Sequence, residues 1–205
     1  MDTVKWIDLV VSLSFGTVFF LMLKLFIKRP SLLVAYFGIS ALAISTPYFL
    51  DLFGVESYID LFQWGKLISI TFYISGLLVL IRESKPIFAR FPVYLTGLPF
   101  VSFLFFPLII DSIVIKELIN AIYQGGALVV TVLIFTLNQA RQRNRRYYII
   151  GITGIVAAYI SYWIVFKQLN MAEFNWVSEI LLATGILFAS FRFVNGEYEK
   201  LTQPQ

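Results

Sequence analysis

Apolar stretches of about twenty residues, separated by short polar turns, follow one another along almost the whole chain, and this pattern predicts a series of membrane-crossing helices. The first stretch runs from Lys5 to Ile27 and is closed by Lys28, Arg29 and Pro30. Its start carries Asp2, Lys5 and Asp8 and has neither a basic leader nor a small-residue cleavage site, so it reads as a retained span rather than a signal peptide. Proline is well tolerated in the first turn of a helix, and the second span is placed from Pro30 to about Phe53. Asp51, Gly54, Glu56 and Asp60 make an acidic turn before the third span, Ile59 to Ile81, which ends at Arg82, Glu83, Ser84, Lys85 and Pro86. The fourth span, about Ile87 to Ile110, carries Pro92, Pro99 and Pro107 roughly on one face and is expected to bend. The fifth runs from about Ile113 to Leu137, is interrupted by Gly125 and Gly126, and ends in the basic run Asn138 to Arg146. The sixth, Tyr147 to Phe166, holds Gly151, Gly154, Ala158 and Ser161, a small-residue stripe that lets a neighbouring helix approach closely. The seventh, Ala172 to Phe193, leads into a polar tail over residues 195–205. The expected fold is all-α: a polytopic seven-transmembrane-helix bundle forming one domain over residues 1–194.

Charge gives that bundle a direction. Lys24, Lys28, Arg29, Arg82, Lys85, Arg90, Arg141, Arg143, Arg145, Arg146, Arg192 and Lys200 fall on one side of the seven spans, twelve of the sixteen basic residues. Lys5, Lys116 and Lys167 fall on the other, together with most of the acids. Basic loops mark the cytoplasmic face, so the N-terminus is expected outside and the C-terminus in the cytoplasm, in a cell membrane of bacterial type. Composition agrees: 59% of residues are hydrophobic and 14% charged, against about a quarter charged in soluble proteins. Histidine and cysteine are both absent, which removes bis-histidine haem, thiolate clusters, histidine-rich zinc sites, disulfides and cysteine nucleophiles. No cofactor and no metal are expected. The basic excess is topological, so nucleic acid is not an expected partner.

Two charges inside the spans carry the candidate chemistry. Lys66 lies seven residues into the third span, roughly 10 Å deep at ~1.5 Å per residue, and Glu179 lies equally far into the seventh, which enters from the same side. A charge at that depth needs a partner or a water-filled cavity. The pair either locks two helices together or marks a ligand site or ion path. Glu117, Asn120, Gln124 and Thr131 fall close to one face of the fifth span, and Asp8, Gln63 and Asn175 also lie in the outer third, which points to an outer-half cavity. Near the membrane surface Glu117 and Asn175 would be solvated without any site. Trp64, Trp176, Tyr159, Tyr162 and Trp163 are placed to line such a cavity, although tryptophan at the headgroup level also serves as a membrane anchor. The candidate ligand-binding set is Lys66, Glu179, Gln63, Glu117, Asn120, Gln124, Trp64, Trp176 and Tyr162. Arg141, Arg143, Arg145 and Arg146 are candidates for anionic headgroups or a cytoplasmic partner, and otherwise serve as the topology signal.

Enzymatic readings are poorly supplied. Lys66 and Ser69 stand one turn apart, but no oxyanion site accompanies them. Gly125 and Gly126 lie within a span and lack the lysine and hydroxyl of a phosphate-binding loop. The last span has Glu179 and no central lysine, unlike a retinal-binding bundle.

The segments LMLKLFIKRP, SLLVAYFGISALAISTPYFL and FQWGKL give the chain a pattern that resembles the seven-span sensing modules at the N-terminus of bacterial sensor kinases and cyclases. The resemblance implies a receptor-like module, here coupling to a separate partner because no kinase, cyclase or DNA-binding domain follows the seventh span. YYIIGITGIVAAYISYWIVF is similar to part of the lysoplasmalogenase-like family, but Ile160, Ser161 and Tyr162 stand where that family's activity would require aspartate, so no activity is carried over. The functional expectation is a non-enzymatic sensor or receptor-like module, with a small-solute or ion transporter and a structural subunit of a membrane complex as alternatives. Membrane lipids, a membrane or cytoplasmic protein and a second copy of the chain are the partners such a module would have.

Overall fold

The computed structural model describes residues 3–55, 61–84, 89–107, 113–138, 146–167, 169 and 171–202. Among them there is no strand. The helices are α1 (Thr3–Lys28), α2 (Leu32–Leu52), α3 (Leu61–Ser84), a 3-10 segment (Val93–Leu104), α4 (Ile113–Asn138), α5 (Arg146–Ile160) continued by a π-helical turn (Ser161–Phe166), and α6 (Asn175–Thr202). α1, α2, α3, α5 with its π turn, and α6 each contain a stretch long and apolar enough to cross a membrane. The apolar part of α4 is the shorter Leu118–Leu133. These are the helices of an integral membrane protein.

Helices that are apolar all round need a non-aqueous surrounding as well as a core. α1 shows this directly. Phe15 and Met22 are 3% and 2% exposed on its inner face, while Phe20 and Ile27 are 67% and 73% exposed on its outer face. Water would not tolerate that outer face; lipid does.

The three residues between α1 and α2 force the two helices to run antiparallel side by side, and Ser31 caps α2 by accepting from the backbone N–H of Val34 at 3.2 Å. Pro30 therefore stands before the cap rather than in the first turn of the helix. At the other end Gly54, at φ +65°, stops α2: its N–H donates to Asp51 O, and the Val55 N–H donates to Leu50 O. This paired arrangement satisfies two of the final carbonyls.

The helices close into a ring. α1 packs on α2 and α6, α2 on α3, α3 on α4, α4 on α5, and α5 on α6. Hydroxyls and missing side chains set the spacing. Ser12 and Ser45 donate reciprocally to each other's carbonyls across α1 and α2, at 3.4 and 3.0 Å. A Cβ at Gly65 would come within 2.7 Å of Ala43 O, so α2 and α3 cross where only glycine fits. The expected small-residue stripe works the same way: Cβ atoms at Gly151 or Gly185 would meet the other helix's backbone at 2.7 Å.

One expected span takes a different form. The fourth expected span is not a long bent α-helix: Val93–Leu104 is 3-10 helical with Pro99 inside it, and it leans on α3 outside the ring. Proline cannot donate to the helical ladder, and three of them leave no uninterrupted α-helical length. The polar stretch after Val194 is helical through Thr202, as a continuation of α6.

Candidate functional site

The ring borders a partly open cavity of about 430 Å³, lined by residues of all six helices. On α3 the lining positions Gln63, Lys66, Ile70, Tyr73, Leu77 and Leu80 recur at three and four residues, which is one helical face. α6 contributes a matching stripe from Ser178 and Glu179 through Leu182 and Ile186 to Phe193, and α4 contributes Asn120, Gln124, Ala127 and Thr131.

At one end the charged pair faces itself. Lys66 Nζ stands 3.8 Å from Glu179 Oε1, with the side chains 43% and 30% exposed. That separation is an ion pair but too long for a hydrogen bond. The tighter partner of Glu179 is the Tyr48 hydroxyl, which donates to the same Oε1 at 2.9 Å. Tyr48 is held in turn by an edge-on contact with Phe62, ring centres 5.1 Å apart. α2, α3 and α6 therefore meet at one carboxylate oxygen.

Opposite them, Trp163 Nε1 donates to Gln124 Oε1 at 2.9 Å, joining α5 to α4. The ring continues the cavity face that Ile152, Ile155 and Tyr159 define on α5. In the π turn the Lys167 N–H reaches back to Tyr162 O, and Tyr162 and Trp163, edge to face at 5.0 Å, lie beside Tyr159 on the cavity wall. Gly125 lets Tyr159 in, since a Cβ there would stand 2.9 Å from the Tyr159 hydroxyl. Deeper in, hydroxyls satisfy one another: Ser40 with Ser69 at 2.9 Å, and Tyr73 with Thr131 at 3.0 Å.

Six of the sequence candidates come together on this cavity: Lys66, Glu179, Gln63, Asn120, Gln124 and Tyr162. Two do not. Trp64 points away from it and packs edge-on against Phe106, near the 3-10 segment. Trp176 is 43% exposed at the start of α6 and lies outside the lining. Glu117 lies in α4, but its side chain is outside the described residues, as are Arg141, Arg143 and Arg145. Arg146 opens α5 and is exposed. Asp8 is buried at 6% exposure, and its Oδ2 has no hydrogen-bond partner among the described residues. It does not line the cavity.

Tyr48 and Ser178 were not among the candidates. A tyrosine in an apolar helix gives no signal of its own, whereas Ser178 could have been suspected from its place beside Glu179. No group of three or more acidic, histidine or cysteine residues able to hold a metal occurs among the described residues. No protein-family model, curated protein or solved structure matches the chain.

Proposed function

We propose that this chain is a non-enzymatic, receptor-like module of a bacterial cell membrane, seven-spanning with its N-terminus outside. In this reading it binds a small ligand in the cavity between the helices and passes the event to a separate membrane or cytoplasmic partner. The observation that carries the proposal is the loose ion pair of Lys66 and Glu179 at the polar end of a cavity bordered by all six helices. An ammonium held at 3.8 Å keeps donor capacity for a ligand, and a ligand that takes it weakens the tie between α3 and α6. Because α6 runs on to Thr202, a shift at Glu179 is transmitted along a continuous helix toward the basic end of the bundle. The sensing-module resemblance supports this reading at the level of pattern.

The test is affinity purification from native membrane in mild detergent, with mass spectrometry of the proteins and small molecules retained. A displaceable small molecule lost in Lys66→Met, with the variant still inserted and folded, is the expected result. Equal retention by Lys66→Met removes the pair from the mechanism. A second reading, a small-solute carrier, draws on the length of the cavity, which follows α3 from Gln63 to Leu80. Flux into proteoliposomes would favour it.

A further inference from the structure

We infer that the ligand is an amphiphile, with an aliphatic chain of about sixteen carbons and a hydrogen-bonding head of zero net charge. This rests on the ligand-binding reading above and narrows it. The lining is graded along its length. Charged and amide groups gather at one end, where Gln63, Lys66, Gln124 and Glu179 stand. Beyond them the hydroxyls at mid-depth are already paired with each other, so they ask nothing of a ligand. The remainder of the wall is dominated by aliphatic and aromatic side chains such as Leu77, Leu80, Ile152 and Phe193, with the hydroxyls of Tyr148 and Ser190 toward the far end. A molecule polar throughout would strand its polar groups there, and an apolar one would set hydrocarbon against the ammonium of Lys66 and the carboxylate of Glu179.

Length sets the chain. Lys66 and Leu80 are fourteen residues apart on α3, roughly 21 Å at ~1.5 Å per residue. An extended hydrocarbon advances about 1.3 Å per carbon from ordinary single-bond geometry, so some sixteen carbons fill that length.

Charge selects the head. The described lining carries one ammonium and one carboxylate, set against each other, so a head with net charge would face an unbalanced partner. Amide and phenol groups offer both donors and acceptors to a neutral polyol or amide head.

The experiment uses the full chain in lipid nanodiscs and a monoacylglycerol bearing a photoreactive diazirine at the end of a sixteen-carbon chain. Photolabel is expected on peptides carrying Leu77, Leu80 or Ile152, in preference to the lipid-facing Phe20 and Ile27. Unlabelled monoacylglycerols should compete about four-fold better per added methylene, with the gain ending near sixteen carbons. Leu80→Trp should end the gain several carbons earlier, and Ile152→Phe provides a second block if that variant folds poorly. Labelling confined to lipid-facing positions, or competition that ignores chain length, overturns the inference. If glycerol or a four-carbon ester competes as well as the long chains, the ligand class is wrong while the cavity still binds. If nothing displaceable binds, the ligand-binding reading fails with it.

Discussion

Removing one oxygen atom tests how the site is held together. Tyr48→Phe deletes the hydroxyl that donates to Glu179 at 2.9 Å and leaves the ring, its burial at 5% exposure and its contact with Phe62 in place. A hydrogen bond to a charged acceptor contributes about 1.5–3 kcal/mol in water-soluble proteins. In membrane proteins such bonds average about 0.6 kcal/mol, because the unfolded chain in lipid finds other partners. The carboxylate is 30% exposed, which draws the figure toward the lower range, and its remaining partner, Lys66 at 3.8 Å, is not a replacement. About 1 kcal/mol is therefore expected. Reversible unfolding in mixed detergent and SDS micelles would measure it, as a double-mutant cycle of Tyr48→Phe with Glu179→Gln. A coupling energy below about 0.3 kcal/mol would show that Glu179 is held by Lys66 alone and refute the assignment of Tyr48 as the principal tie.

Other variants probe the scaffold and the topology. Gly185→Val should cost about 2 kcal/mol or more, because its Cβ meets Ile155 N at 2.7 Å and Gly151 O at 2.8 Å, whereas Gly126→Ala, with nothing within 4 Å, should be neutral or stabilising by up to about 1 kcal/mol; unfolding of both in the same micelles checks the contrast. Gly54→Ala should cost about 1–2 kcal/mol by forcing a side chain into the left-handed conformation, read from the same transition. Since the native chain has no cysteine, a single Val55→Cys should react with a membrane-impermeant maleimide on intact cells, while Arg146→Cys should react only after permeabilisation; the opposite pattern inverts the proposed topology.

The parts of this architecture visible in the sequence were those governed by length, depth and period. Lys66 and Glu179 lie equally far into their helices, which makes a contact possible; that they face each other depends on the rotation and neighbourhood of α3 and α6, which depth does not record. Asn120, Gln124 and Thr131 share a face because their spacing says so, and they share a cavity. Rotation about a helix axis was also encoded, though less openly. Trp64 stands two residues from Lys66, about 200° around the helix, and could not have faced the same cavity. The 3-10 form of Val93–Leu104 followed from hydrogen bonds that three prolines could not make, but where it would lean was a tertiary matter. Tyr48 was illegible for a different reason. Its role depends on which residue of α6 comes opposite, and nothing local to α2 records that.

The glycine seam of α5 acts as an index mark for the cavity wall. A helix of uniform pitch ties the direction of every side chain to its position in the sequence, at about 100° per residue. Gly151 and Gly154 lie against α6, while their neighbours Ile152 and Ile155 turn toward the cavity, so the seam and the wall stand about one residue's rotation apart. Tyr159 and Trp163 continue the cavity face toward α4, where the indole meets Gln124. The two duties of α5 are therefore locked together. Because a Cβ at Gly151 or Gly185 would already stand 2.7 Å from the other helix's backbone, α5 cannot turn to open the aromatic wall without driving its own side chains into α6.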